Sequence, residues 1–208
     1  MEKNYYYRVY GLNIRSDIKI DEFAEIEKND NIDINVKYDE PPEELIHKFT
    51  GECSYFKAKD KFVFDIGGIG TYGVFNGNLI TYKPHENADL YYVKIFITCS
   101  CMGAVMIQRN KLAIHGGTVE MNNKAVIVTG DKGAGKSSLT IGLRKKQYKF
   151  ISDDIAAIDF KDNQIVVNPG APFQKLCEDA AINMGYNIKD YFSFMSDEQI
   201  KYVIPAEE

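Results

Sequence analysis

Gly130-Asp131-Lys132-Gly133-Ala134-Gly135-Lys136-Ser137 decides the fold: the octapeptide reads G-x-x-x-x-G-K-S, a loop whose chemistry suits phosphate. Gly130, Gly133 and Gly135 permit positive φ angles and a close backbone approach, so that several N–H groups converge on one point. Lys136 adds a mobile cation for β- and γ-phosphates, and the Ser137 hydroxyl suits Mg²⁺. Before the loop, Ala125–Thr129 (AVIVT) is a β-branched run that predicts a buried strand. After it, residues 138–146 (SLTIGLRKK) carry apolar residues at helical spacing and a basic last turn, which predicts a helix whose positive N-terminal end faces the same anion. The expected binding set is Gly130, Asp131, Lys132, Gly133, Ala134, Gly135, Lys136, Ser137 and Ser138. A nucleoside triphosphate is the expected ligand.

Downstream, Tyr148–Ser152 predicts an apolar strand that ends in Asp153-Asp154. Two carboxylates at a strand tip beside a glycine loop point toward phosphates and metal. One can serve Mg²⁺ while the other accepts a proton from an attacking hydroxyl, although an Asp-Asp strand-end turn is also common. Upstream, residues 112–121 (LAIHGGTVEM) predict a strand that pairs with the next through a turn at Asn122-Asn123. That hairpin would bring His115 toward the γ-phosphate. A lone histidine in a strand is more often structural, but Gly116-Gly117 marks a bulge or a close ligand approach.

His115-Gly116-Gly117-Thr118-Val119, the Gly130–Ser137 loop and Ser152-Asp153-Asp154 together resemble the catalytic domain of HPr kinase/phosphorylase. They are more similar still to the shorter HPr-kinase-like enzymes of ribosomal peptide pathways, lasso-peptide kinases included. His115 lies 21 residues before Lys136 and Asp154 lies 17 after Ser137, spacings similar to that family. Asn168–Leu176 (NPGAPFQKL) and Tyr7–Ser16 are also similar to the peptide-cluster branch. The resemblance implies an ATP- and Mg²⁺-dependent kinase. In it Lys136 would grip the phosphates, Ser137 would coordinate Mg²⁺, and Asp154 would take the acceptor's proton. His115 would sit beside the transferring group and Asp153 would support metal or histidine. A further acidic metal ligand, Glu178 or Asp179, would follow the Asp pair. The longer HPr kinases form hexamers, which leaves a homo-oligomer open.

Two departures accompany the resemblance. The basic-glycine segment that true HPr kinases use with their protein substrate is absent, which argues against HPr as acceptor and against a phosphorylase reaction. Lys201–Glu208 reads like a strand just beginning, so the chain is expected to be either naturally short or truncated.

The composition narrows the classes. The 208 residues, 45% apolar, suffice for one good-sized domain or a small one plus a larger one. A net charge of −5 and a pI near 5.3 argue against a nucleic-acid partner. The one basic cluster, Arg144-Lys145-Lys146, reads as a helix C-terminus meeting its dipole. Cys53, Cys99, Cys101 and Cys177 lack C-x-x-C spacing and read as reduced thiols of a cytosolic protein. No charged and apolar leader opens the chain, so a cytoplasmic location is expected. Ile95–Ile107 is apolar but too short to span a bilayer, and is expected to lie in a buried helix over about 88–108.

The first eighty-odd residues alternate apolar and polar positions in 62–66, 71–75 and 79–82, with Gly67-Gly68 and Asn76-Gly77-Asn78 between. They predict antiparallel strands, with a primed turn at Asn76-Gly77. Residues 39–44 (DEPPEE) read as a rigid acidic connector. The expected fold is thus α/β: a P-loop phosphotransfer core with a mixed sheet over residues 88–208, similar to the C-terminal domain of HPr kinase, preceded by a β-rich region over 1–87. That region either recognises the acceptor by adding it to a sheet edge or simply packs on the core. The many tyrosines read as half-buried packing.

The expected function is transfer of the γ-phosphoryl group to a serine hydroxyl of a precursor peptide or small protein. Nothing in the chain specifies an acceptor pocket, so a kinase of a small-molecule hydroxyl is the first alternative. A non-catalytic nucleotide-binding regulator is the second. The chain has no N-K-x-D base-reading motif and no ABC-type signature helix.

Overall fold

Apolar alternation in the N-terminal half builds a seven-stranded sheet. The computed structural model describes residues 3–49, 54–196 and 199–206. The chain divides into two compact units, Met1–Leu112 and Ala113–Glu208.

In the first unit the strands are β1 (Tyr5–Val9), β2 (Leu12–Ser16), β3 (Ile34–Tyr38), β4 (Tyr55–Lys57), β5 (Lys61–Ile66), β6 (Gly70–Phe75) and β7 (Leu79–Pro84). They lie in the order β1-β2-β3-β7-β6-β5-β4. The sheet is mixed: β2–β3 and β3–β7 are parallel, and the remaining pairs are antiparallel. The three predicted strands are β5, β6 and β7, and the turn before β7 has φ of 52° at Asn76 and 64° at Gly77, the primed geometry expected of Asn-Gly. The acidic connector runs into a short helix, α1 (Glu43–Ile46). The outer edge of β1 is partly covered by the chain near Glu25, where the Ile26 amide donates to the Tyr6 carbonyl. Cys53 lies outside the described residues.

The helix expected over about 88–108 is present over Leu90–Gln108, with a π-helical segment in its middle. It comprises α2 (Leu90–Phe96), a π-helical segment (Ile97–Cys101) and α3 (Met102–Gln108). The run Leu90–Gln108, 19 residues, is long and apolar enough to cross a membrane. Its Val93, Ile97, Cys101, Met102, Val105 and Met106 form one buried stripe at helical spacing, which packs on β6 and β7. For that reason the units divide at Leu112/Ala113, where the sequence suggested 87/88. The β2–β3 and β3–β7 pairs make the sheet of this first unit mixed, whereas the sequence placed a mixed sheet in the C-terminal core.

The second unit holds the remaining elements in three-stranded sheets. The strands are β8 (Leu112–His115), β9 (Gly117–Met121), β10 (Lys124–Val128), β11 (Lys149–Ser152), β12 (Ile155–Lys161), β13 (Gln164–Asn168), β14 (Phe173–Cys177), β15 (Ser193–Ser196) and β16 (Gln199–Pro205). The helices are α4 (Lys136–Lys145) and α5 (Glu178–Asn183), with a short 3-10 helix at Ile188–Asp190. The sheet orders are β10-β9-β11, β13-β12-β8 and β14-β16-β15. Residues 112–121, read as one strand, are two. The chain leaves β8 at Gly116, whose amide donates to the Asp154 carbonyl at 3.2 Å, and enters another sheet as β9. A Cβ at Gly116 would collide with the Val128 carbonyl, so the crossing needs glycine. The Asn122-Asn123 turn does join β9 to β10, with φ of 51° and 59°. The strand read as just starting at Lys201 is β16 (Gln199–Pro205), the central strand of its sheet.

Candidate functional site

Strand direction brings the two predicted constellations together. β10 and β11 both pair antiparallel with β9, one on each side. They therefore run parallel to one another, and their C-terminal ends emerge at the same end of the sheet. β10 ends in the glycine loop and β11 ends in Asp153-Asp154. A cavity of about 480 Å³ opens there. It is lined by the loop, by the Asp pair and His115, and by a wall from β14, α5 and β16.

The loop passes from β10 to α4 through Gly133 and Gly135, both at φ 81°, where a side chain would be strained. Lys136 Nζ donates to the carbonyls of Gly130 and Asp131, each at 2.9 Å, so the ammonium lies across the loop. Helix α4 packs close to β9 because Gly117 has no Cβ; one placed there would strike the Thr140 side chain. Of the nine residues expected to bind nucleotide, Gly130, Lys132, Gly133, Gly135, Lys136, Ser137 and Ser138 line the cavity, whereas Asp131 and Ala134 do not. Asp131 contributes backbone: its carbonyl accepts from Ala134 N and from Lys136 Nζ.

The Asp pair sits in a tight turn. The Ile155 amide donates to the Asp153 carbonyl at 2.6 Å, and Asp154 between them has φ 57°. A non-glycine residue held there stores local strain, a condition that concentrates at functional sites. His115 Nδ1 lies 3.0 Å from the Asp154 carbonyl. A carbonyl only accepts, so Nδ1 carries the hydrogen of this contact and Nε2 is the ring nitrogen left for other partners.

Lys175 falls in a stretch that the sequence singled out only for its resemblance, with no role for the lysine itself. On β14 its amide donates to Asp153 Oδ2 at 2.9 Å, and its ammonium reaches Asp154 Oδ2 at 2.5 Å. The two carboxylates consequently differ. Burial pushes Asp153 up to about 7, reinforced by the neighbouring Asp154 charge and opposed by the Lys175 amide. Burial also works against the Asp154 charge, but the Lys175 ammonium, with Lys201 and His115, holds its carboxyl below the usual range. The only signal for Lys175 in the sequence is the alternation of Phe173–Cys177, which sends Gln174 and Leu176 to the buried face and Lys175 and Cys177 to the cavity.

Glu178, expected as a metal ligand, does not line the cavity; its Oε1 faces the Tyr202 hydroxyl at 3.5 Å. Asp179 does line it, since successive residues at the start of α5 point in different directions. Among the described residues no group of three or more His, Cys, Asp or Glu side chains is placed to hold a metal ion by itself. Arg144, read as a helix-end charge, is buried: it donates to Gln174 Oε1 at 3.1 Å and to the Pro205 carbonyl at 2.5 Å.

A stretch of 76 residues is 34% identical to HPr kinase/phosphorylase from Lactobacillus acidophilus, covering 36% of this chain and 23% of that protein's length. That similarity supports an HPr-kinase-like relationship of kinase or phosphorylase type. No protein-family model matches the chain, and no solved structure matches it.

Proposed function

We propose, from that partial similarity and from the cavity, that this protein is an ATP-dependent kinase acting in the cytoplasm. It would transfer the γ-phosphoryl group to a serine hydroxyl of a peptide or small protein, with a ribosomal precursor peptide as the favoured acceptor. The observation that carries the reading is the common exit of β10 and β11, which puts a phosphate-type loop and two carboxylates on one cavity. In such reactions the protein's contribution is positioning and charge stabilisation.

Loop amides and Lys136 would hold the triphosphate, with the ammonium exchanging its carbonyl partners for phosphate oxygens. The hard oxygen donors suited to Mg²⁺ are the Ser137 hydroxyl and the Asp153 carboxylate, both on the cavity. Mg²⁺, when bound, supplies charge neutralisation on the phosphates. Asp154 keeps its charge at neutral pH and is the proposed proton acceptor for the attacking hydroxyl. His115, fixed through Nδ1, would stand beside the transferring group.

The test is intact mass spectrometry of a panel of serine-containing peptides and small proteins after incubation with ATP and Mg²⁺. Addition of one phosphoryl group to a peptide or protein meets the proposal. Phosphorylation of small metabolites alone would replace it with the small-molecule reading, and nucleotide binding with no acceptor used would reduce it to the regulator.

A further inference from the structure

We propose that Lys175 is a positioning residue of the transfer site, pinning one oxygen of each carboxylate and holding them in register with the glycine loop. The inference rests on the kinase reading and adds a residue to it. Three observations carry it.

First, Lys175 engages both acids at once, by its amide on Asp153 Oδ2 and by its ammonium on Asp154 Oδ2. One residue thus fixes the spacing of the pair. Second, its side chain is only 9% exposed, and the ammonium lies 5.8 Å and 6.0 Å from the ring centres of Phe173 and Phe194. The side chain is thus buried, unlike that of a surface lysine. Third, the preceding residue ties the strand to the loop helix. Gln174 Nε2 donates to the Ser137 carbonyl at 2.9 Å while Gln174 Oε1 accepts from Arg144. Gln174 and Lys175 point to opposite faces of β14, so one strand grips α4 with one face and the Asp pair with the other.

The chemistry follows from charge. The acceptor's O–H bond breaks and its proton passes to Asp154. The oxygen forms a bond to the γ-phosphorus, and the bond from γ-phosphorus to the bridging oxygen breaks, leaving its electron pair on ADP. As Asp154 becomes neutral, the Lys175 ammonium loses its counter-charge, and its field falls on the phosphoryl oxygens when they need it.

The experiment compares Lys175→Met and Lys175→Arg in the full chain by two readouts. In steady-state phosphotransfer, Lys175→Met should lower kcat at least ~30-fold while the KM for ATP stays within about threefold, and Lys175→Arg should recover much of the loss. In nucleotide-free protein, Mn²⁺ affinity from the electron paramagnetic resonance of the free ion should rise about tenfold or more in Lys175→Met, because a positive charge beside the carboxylates has gone. A methionine variant with wild-type kcat and wild-type Mn²⁺ affinity overturns the proposal, as does an arginine variant no better than methionine in both. If the wild-type protein phosphorylates nothing yet Lys175→Met tightens Mn²⁺, the kinase reading falls and the pinning of the pair stands. Should the methionine variant fail to fold, Lys175→Gln replaces it under the same criteria.

Discussion

Replacing Asp153 by asparagine isolates the cost of burying its charge. The residue is 9% exposed, with Asp154 next to it in the chain, and its carboxyl is raised from 3.8 to about 7. Between those pH values the folded protein keeps a proton that the unfolded chain releases. Stability from this group is therefore complete below pH 3.8 and is lost as pH rises through 7. At about 1.36 kcal/mol per pH unit the whole displacement amounts to about 4 kcal/mol. The Asp154 carboxyl is lowered, so its contribution is present above 3.8 and is lost only at more acid pH, outside this window. Asparagine does not titrate, and its Oδ1 still accepts from the Lys175 amide. Urea unfolding followed by circular dichroism, in EDTA, should give similar midpoints for the variant and wild type near pH 4. By pH 8 the variant should be the more stable, by up to about 2 M urea for a slope near 2 kcal/mol/M. Midpoints that track one another from pH 5 to 8 would refute the reasoning.

Four further outcomes follow from the same geometry. Asp154→Asn should keep nucleotide binding and lose about 10²–10⁴ in phosphotransfer rate; full turnover in that variant would remove Asp154 from the chemistry. Lys136→Ala should weaken nucleotide affinity about 10- to 100-fold through loss of charge-assisted hydrogen bonds, as isothermal titration would register. His115→Ala should lower the rate about tenfold or more with an unchanged circular dichroism spectrum, and wild-type kinetics would make the residue structural. Gly117→Ala should destabilise by about 1–3 kcal/mol because its Cβ meets Thr140, and adding Thr140→Ala should restore part of the loss; additive effects would contradict the contact.

The sequence was informative wherever the determining contacts are local. Glycine spacing specifies the 130–137 loop because its φ angles are a property of those residues. The Asn-Gly and Asn-Asn turns were legible for the same reason, and so were β5, β6 and β7, whose alternation is a period of two. Residues 112–121 read as one strand because nothing local signals a change of sheet; Gly116 breaks the strand there only because the Val128 carbonyl and the Asp154 turn crowd it. The 90–108 helix fell to the N-terminal unit because its apolar stripe matched β6 and β7, a choice between partners that a stripe alone does not make.

Tertiary structure decided the rest of the site. Lys175 meets Asp154 across 21 residues, and Arg144 meets Pro205 across 61, contacts that depend on strand register rather than on residue type. Whether Glu178 or Asp179 faces the cavity turns on the phase of a helix only six residues long. A glycine-rich loop closed by a lysine and a serine, and a pair of acids, are legible in the chain alone, since backbone freedom and charge are properties of single residues. That both lie on one cavity, and that burial raises Asp153 while a lysine from a third strand holds Asp154 low, follows only from contacts between distant segments. Strand direction and burial arise from segments far apart in the chain.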